Sequence, residues 1–509
     1  MIISLSVLVI TIIVSGTYAL YKTQLSKNIG VNTTTHGLAY YINYVKGTDI
    51  TAATLNPSTS YESGASSDIE FWKKDDSYDI YGKIDLTVNT IGTNLKNSPA
   101  LKYAVVNNGN VLSTGSLKGT TSGSKVTILK NLYLEQTKQI YTVYVWLDNS
   151  EELGNISNES LSISVDCTAS LQKEPTAADT IISLYTSAAK VTATNNSITY
   201  NTAPSVSLMN DRLGGTTTDL DGGNIRYYGA NPNNYIYFNC SDYSNQSSST
   251  CETWRIIGVF EGKLKLIRNK SIGYHSWDNK DTSTGAETNL GKNDWTTARL
   301  MKLLNPSKYY TVDSNDNNLG QILYYNGASG KCYSGQNNAT VDCDFTSTGI
   351  KNNTTRNMIA ETTYNLGGWN GSSIYPNQIY GYERGTKVYT GRPTTWKGKI
   401  ALAYISDYGY AVDLNQCKDK TLNNYSDSTC TSNNWMKTII TNNGNNSGWL
   451  LTPSSSSSTH AWYVPSDGDV RYSSATYGAY WAAPVLSLSS ELGIESGDGS
   501  SSNPYKLSA

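Results

Sequence analysis

Apolar and polar residues alternate through much of the first third of the chain. The pattern is plain in Ile80-Tyr81-Gly82-Lys83-Ile84-Asp85-Leu86-Thr87-Val88 and Ile140-Tyr141-Thr142-Val143-Tyr144-Val145-Trp146-Leu147, and it recurs in Leu161-Ser162-Ile163-Ser164-Val165. A period of two sends successive side chains to opposite faces of a sheet, so these segments predict half-buried strands. Between KYAVVN and NVLSTG, Asn108-Gly109 signals a two-residue hairpin, because both positions tolerate positive φ. Long helical periodicity is absent. Residues 30–170 therefore predict an all-β sandwich or jelly roll of about seven to nine strands.

The pattern changes after residue 170. Thr176 can cap a short amphipathic helix, with Asp179 answering at the third position and Ile181, Leu184, Tyr185 and Ala188 on one face. The tract TATNNSITYNTAPS reads as a turn-rich linker, so residues 171–202 form a junction. From 203 to 509 the texture is mixed α and β. Trp254–Phe260 and Lys263–Arg268 predict a hairpin turning at Glu261-Gly262. Asn293 or Asp294 caps a helix through Trp295, Ala298, Leu300, Met301 and Leu304 that Pro306 stops. Strand-like runs follow at Lys399–Ile405, Gly448–Pro453, Ala461–Val464 and Ala483–Leu488. The chain is thus multidomain: an all-β N-terminal unit followed by an α+β unit.

Three cysteine pairs decide the compartment. Cys240 and Cys251 enclose ten residues, Cys332 and Cys343 ten, and Cys417 and Cys430 twelve, and the enclosed loops hold almost nothing apolar. Zinc sites space their cysteines by about two to four within each half, so local disulfides are the expectation. Disulfides persist only in oxidising surroundings. Cys167 is left over, which predicts either a buried thiol or an intermolecular bridge. The uncharged run Met1–Val14, followed by Ser15-Gly16-Thr17-Tyr18-Ala19, suits a signal-peptide core better than a bilayer span of about twenty residues. Cleavage after Ala19 is expected, with an uncleaved anchor over residues 1–19 as the alternative. Export to the extracellular space or cell surface follows.

Composition narrows the partners. Net charge is −2, which offers no electrostatic footprint for nucleic acid. The charged fraction is 16% while Tyr numbers 39 of 509 residues, a surface chemistry shared by extracellular binding proteins and by strand-rich secreted proteins in general.

Two stretches resemble known families. The N-terminal run, the GTYALYKTQ after it and the late YTVYVWLD strand resemble the secreted camelysin and biofilm-fibre proteins of Gram-positive bacteria, which are jelly rolls able to form filaments. WRIIGVF, the helix ending in LMKLLN, KIALAYISDYGY, GWLLTP, DGDV and APVLSLS follow one another in an order that resembles a domain family of secreted gut Firmicutes proteins. That resemblance implies a C-type-lectin-like fold over 203–509, near formylglycine-generating enzymes and the variable proteins of diversity-generating retroelements. The calcium-dependent sugar motifs of true lectins (EPN or QPD with a later WND) are absent from the sequence.

No reaction is read from the residues. His36, His275 and His460 have no metal-ligand spacing, and neither a Gly-x-Ser-x-Gly elbow nor a P-loop occurs. Asp313–Asn318 begins like a calcium loop but has Asn318 where the sharp turn needs Gly. No catalytic residue, metal or cofactor is therefore expected. The aromatics between Trp449 and Trp481 are the candidate site. Alternation in Ala461–Val464 separates Trp462 from Tyr463, so not all the rings can be core. An exposed patch is expected from His460, Trp462 or Tyr463, Arg471, Tyr472, Tyr477 and Tyr480, with Trp449 and Trp481 in the core. The reading is an extracellular, non-catalytic binding protein whose β-sandwich stalk carries the head, its partner a glycan or a host or bacterial surface protein. The alternative is a structural matrix or filament subunit that self-associates through the N-terminal domain.

Overall fold

A computed structural model describes residues 23–25, 41–52, 55–149, 153, 156, 159–212, 223–243, 245–280, 289–311, 319–335, 338–371 and 373–508. The signal-like segment, His36 and the Asp313–Asn318 turn lie outside these residues. The chain divides into two compact units, residues 1–174 and 175–509. No helix among the described residues is long and apolar enough to cross a membrane.

The first unit is built from two sheets. One carries Tyr81–Ile91 between Leu161–Ser170 and Lys125–Tyr133, with the short strands Thr23–Leu25 and Ile50–Ala52 also on Leu161–Ser170. The other runs in the order Ile42–Val45, Ala65–Lys73, Ile140–Asp148, Leu101–Asn107, Asn110–Ser116, and Pro57–Ser58 adds a short parallel pairing. The alternating apolar residues of both sheets meet in one core: Ile84, Leu86, Val88, Ile163 and Val165 from the first, Ile69, Phe71, Val105, Val143 and Val145 from the second. This is a sandwich-like arrangement of eleven described strands, more than expected because several are only two to four residues long. Asn108 and Gly109 have φ of 48° and 75°, the two-residue turn their sequence calls for, and they join Leu101–Asn107 to Asn110–Ser116. Cys167 is fully buried on Leu161–Ser170, where burial pushes its thiol well above the usual range and leaves it inert.

The second unit begins earlier than the junction reading allows. The helix Ala177–Ser187 has the expected reciprocal cap, Thr176 Oγ1 accepting from the Asp179 N–H at 3.1 Å while Asp179 accepts from the Thr176 N–H at 3.0 Å. Its Ile181 and Tyr185 are buried in the same cluster as Trp254, Leu266 and Leu486. The tract read as a linker is instead the hairpin Val191–Asn195 and Ile198–Ala203, at the edge of a nine-stranded sheet. Asn196 and Ser197, with φ of 48° and 60°, supply its turn, so the linker-like composition was turn chemistry. The hairpin Glu252–Phe260 and Lys263–Arg268 turns at Glu261-Gly262 as expected, with φ of 50° and 72°.

Two further expectations are corrected. The helix expected from Asn293 or Asp294 begins only at Arg299 and ends at Leu304. Asp294 caps a tight turn, accepting from the N–H and hydroxyl of Thr296 at 3.1 and 2.6 Å, while Asp278 accepts the Arg299 N–H at 3.3 Å. Of the strand-like Lys399–Ile405, only Ile400 and Ala401 pair in the sheet, and Ile405–Tyr410 is helical. Asp407 explains the change. Its carboxylate accepts the Tyr404 N–H at 3.0 Å and pairs with Arg226 at 3.1 Å and with Lys265, all three partners buried. The two cations hold that carboxyl below its usual range against the cost of burial.

Candidate functional site

The three cysteine pairs are joined as expected, Cys240 to Cys251, Cys332 to Cys343 and Cys417 to Cys430. Loops of this size restrict the unfolded chain by about 3 kcal/mol each in the chain-entropy picture. They fit an oxidising, extracellular environment. His275 is packed rather than exposed, 4% accessible, and a ring nitrogen lies within 4.8 Å of the Cys332 and Cys343 sulfurs. Those sulfurs are bonded to each other, so they present no thiolate to an ion.

The candidate aromatics sit on a three-stranded antiparallel sheet: Gly448–Pro453, His460–Val464 and Arg471–Ser474. Its register sorts them. Trp462 lies opposite Tyr472, while Tyr463 lies opposite Arg471. Cross-strand partners share a face and neighbours along a strand do not, so the expected single patch becomes two.

On one face, His460 and Trp462 back the Tyr472 ring edge-on at 5.4 and 5.3 Å. Trp462 is not a surface residue. It is 1% exposed, stacks on Trp369 at 4.9 Å and donates its indole N–H to the Trp369 carbonyl at 3.3 Å. Tyr472 stands out from this backing at 57% exposure. His460 is half-buried, its Nδ1 2.5 Å from Ser457 Oγ, and burial lowers its pKa, which keeps the imidazole neutral at pH 7.

On the other face, Tyr463 stacks on Tyr480 at 4.2 Å, and Tyr480 also meets Trp449 at 4.7 Å and Tyr477 at 4.5 Å. Tyr480 is half-buried and burial pushes its phenol up, whereas Tyr477 is 46% exposed. Arg471 is exposed but held, its Nη2 donating to Asp467 at 2.6 Å and Asp469 at 3.0 Å. Trp449 is core, with its N–H on the His275 carbonyl at 2.8 Å. Trp481 is only half-buried, against the exposed Tyr274 at 4.5 Å, so its expected core position is corrected.

A second feature escaped the sequence. Residues 293–295, 388, 389, 392, 393, 453 and 454 line a small cleft, with room for about one water, that also touches Leu366. Asn293 pins the serine-rich loop beside it, donating to the carbonyls of Ser454, Ser457 and His460 at 2.8, 2.7 and 3.0 Å. The nearly hundred residues between Trp295 and Arg392 leave no local signal of their meeting.

Comparison with known proteins adds little. No protein-family profile matches the chain, and no curated protein matches it. Among solved structures, an acetyl xylan esterase from the rumen bacterium Butyrivibrio proteoclasticus aligns at 12% identity and a TM-score of 0.14. The alignment covers 27% of this chain and 35% of the esterase, so the chain spans about a third of that protein's length. The receptor-binding domain of a botulinum neurotoxin mosaic serotype C/D aligns at 10% identity and a TM-score of 0.12, over 53% of this chain and 76% of that one. Likenesses this distant carry no argument about fold or function.

Proposed function

We propose that the chain is an extracellular or cell-surface binding protein without catalytic activity, whose second unit is a C-type-lectin-like head that takes its ligand on Tyr472 and its surroundings. The observation that carries this reading is a flat ring, 57% exposed, braced from behind by His460 and the buried Trp462. An aromatic ring held rigid before binding costs little entropy on contact and suits stacking on a sugar face or a protein side chain. Tyr477 and the ion-paired Arg471 are a second exposed group on the opposite face of the sheet. The ligand class is a glycan or a host or bacterial surface protein.

A filament subunit is the second reading, with the first unit a jelly roll. The strand Asn110–Ser116 closes one edge of its sheet, carries no charged residue, and leaves Val111 and Leu112 45% and 42% exposed. Unpaired edges of this kind template strand addition by another chain. Sedimentation of residues 20–509 at neutral pH, together with a glycan and surface-protein array, separates the two. A monodisperse protein that retains a ligand is the expected result. Polymerisation with an empty array would favour the filament.

A further inference from the structure

We propose that Cys332, Cys343 and His275 form a zinc-binding site in the reduced protein, which the Cys332–Cys343 disulfide closes. The two sulfurs and a nitrogen of the His275 ring lie within 4.8 Å of one another, and all three residues are buried. Around a tetrahedral zinc, with Zn–S of about 2.3 Å and Zn–N of about 2.0 Å, ligand atoms sit about 3.5–3.8 Å apart. Parting the bonded sulfurs and drawing in the imidazole by about 1 Å therefore completes three ligands. Of the three cysteine pairs, only this one stands in such a cluster among the described residues.

The fold brings these groups together without the crosslink. Ser329–Tyr333 and Thr340–Asp344 pair antiparallel, with Cys332 opposite Val341 and Gly330 opposite Cys343. Cys343 is thus two residues from the partner of Cys332, on the same face of the ribbon, and the backbone ladder holds that register in either redox state. His275 is fixed by other elements. Its N–H donates to the Tyr480 carbonyl at 3.0 Å, its carbonyl accepts the Trp449 indole N–H at 2.8 Å, and its Nε2 lies 3.4 Å from the Ile272 carbonyl. Metal-binding histidines are commonly oriented by such a carbonyl. His275 and Cys332 also line a void with room for about one water, the place of a fourth ligand in an open zinc site. Thiolate and imidazole suit zinc, whereas magnesium and calcium take oxygen ligands. Cysteines are made as thiols, so the site precedes oxidation of the chain. Zinc binding releases the two thiol protons. Oxidation then takes two electrons from the thiolates, forms the S–S bond and frees the ion, while a disulfide oxidant takes up the electrons and two protons and becomes two thiols.

Reducing residues 20–509 with a phosphine, which takes oxygen from water and leaves two thiols per disulfide, and titrating with Co²⁺ and then Zn²⁺ tests this. One equivalent of Co²⁺ should bind with thiolate-to-metal charge-transfer absorption, and Zn²⁺ should displace it. The unreduced protein should bind none. His275→Gln should weaken binding at least about tenfold, since losing merely a ligand's hydrogen-bonding partner costs that much. Replacing Cys332 and Cys343 by Ser should abolish binding, and replacing Cys240 and Cys251 by Ser should leave it. If reduction alone unfolds the second unit, Co²⁺ should restore the folded tryptophan emission in the native sequence and not in His275→Gln. Absence of binding by the reduced protein, equal binding before reduction, affinity unchanged in His275→Gln, or recovery of emission in both chains or in neither would each overturn the site.

Discussion

Two buried ionisable groups three residues apart should hide each other's pH dependence, and Asp278→Asn should expose it. His275 is held neutral by burial, which lowers its pKa to about 4 against a hydrogen bond with the Ile272 carbonyl that raises it. Burial raises Asp278 to about 7, opposed by backbone N–H donors including Lys292 at 2.8 Å and Arg299 at 3.3 Å. Between pH 4 and 6.5 the unfolded histidine binds a proton that the folded one refuses, so this group makes stability rise with pH. Between pH 3.8 and 7 the folded aspartic acid keeps a proton that the unfolded one has lost, so stability falls with pH. Each slope is about 1.4 kcal/mol per pH unit, and the two nearly cancel in the native chain. Asn is close in shape to the protonated acid. Relative to the native protein, Asp278→Asn should therefore gain about 4 kcal/mol between pH 4 and 7 and then level off. His275→Gln should show the reverse, gaining about 3 kcal/mol relative to the native protein as pH falls from 6.5 to 4. Urea unfolding followed by tryptophan fluorescence is the assay, since nine of the eleven tryptophans lie in the second unit. A stability difference for Asp278→Asn that stays constant from pH 4 to 7 would refute the reasoning.

Other outcomes follow from the same structure. Asp407→Asn leaves Arg226 and Lys265 buried without their shared carboxylate and should cost about 3–5 kcal/mol, read as a lower urea midpoint; a loss under 1 kcal/mol would contradict the role assigned to it. Peptide mapping without reductant should recover only the three local crosslinks, and replacing Cys332 and Cys343 by Ser should cost about 3 kcal/mol. Tyr472→Ala and Tyr477→Ala should shift Tm little, whereas Tyr480→Ala loses ring contacts with Trp449 and Tyr463 worth about 1–2 kcal/mol beyond its burial. Equal melting of all three would show that Tyr480 is not packed as described.

Local chemistry made much of the fold legible. Asn108-Gly109 and Glu261-Gly262 turn where their residues say, because a two-residue loop needs positive φ and little else. The Thr176–Asp179 cap and the alternation in Tyr81–Ile91 are equally local. Tertiary context decided the rest. Asp294 could cap a helix by type, but the turn at Thr296 and the distant Asp278 moved the helix start to Arg299. Lys399–Ile405 carries strand residues, yet Asp407, fixed by two buried cations from other strands, draws Ile405–Tyr410 into a helix. At the candidate site, alternation rightly separated Trp462 from Tyr463, but the strand register that pairs Trp462 with Tyr472 and splits the patch is long-range. The meeting of Trp295 with Arg392 is likewise a product of folding.

The central claim, that the ligand binds on Tyr472 and its surroundings, is tested most directly by titrating the array hit into native protein, into Tyr472→Ala and, as the opposite-face control, into Tyr477→Ala. All three forms should melt alike. Saturable binding by the native protein and by Tyr477→Ala is expected, with loss of at least tenfold in Tyr472→Ala, about 1.4 kcal/mol or more. Affinity unchanged by removing the Tyr472 ring would contradict the claim.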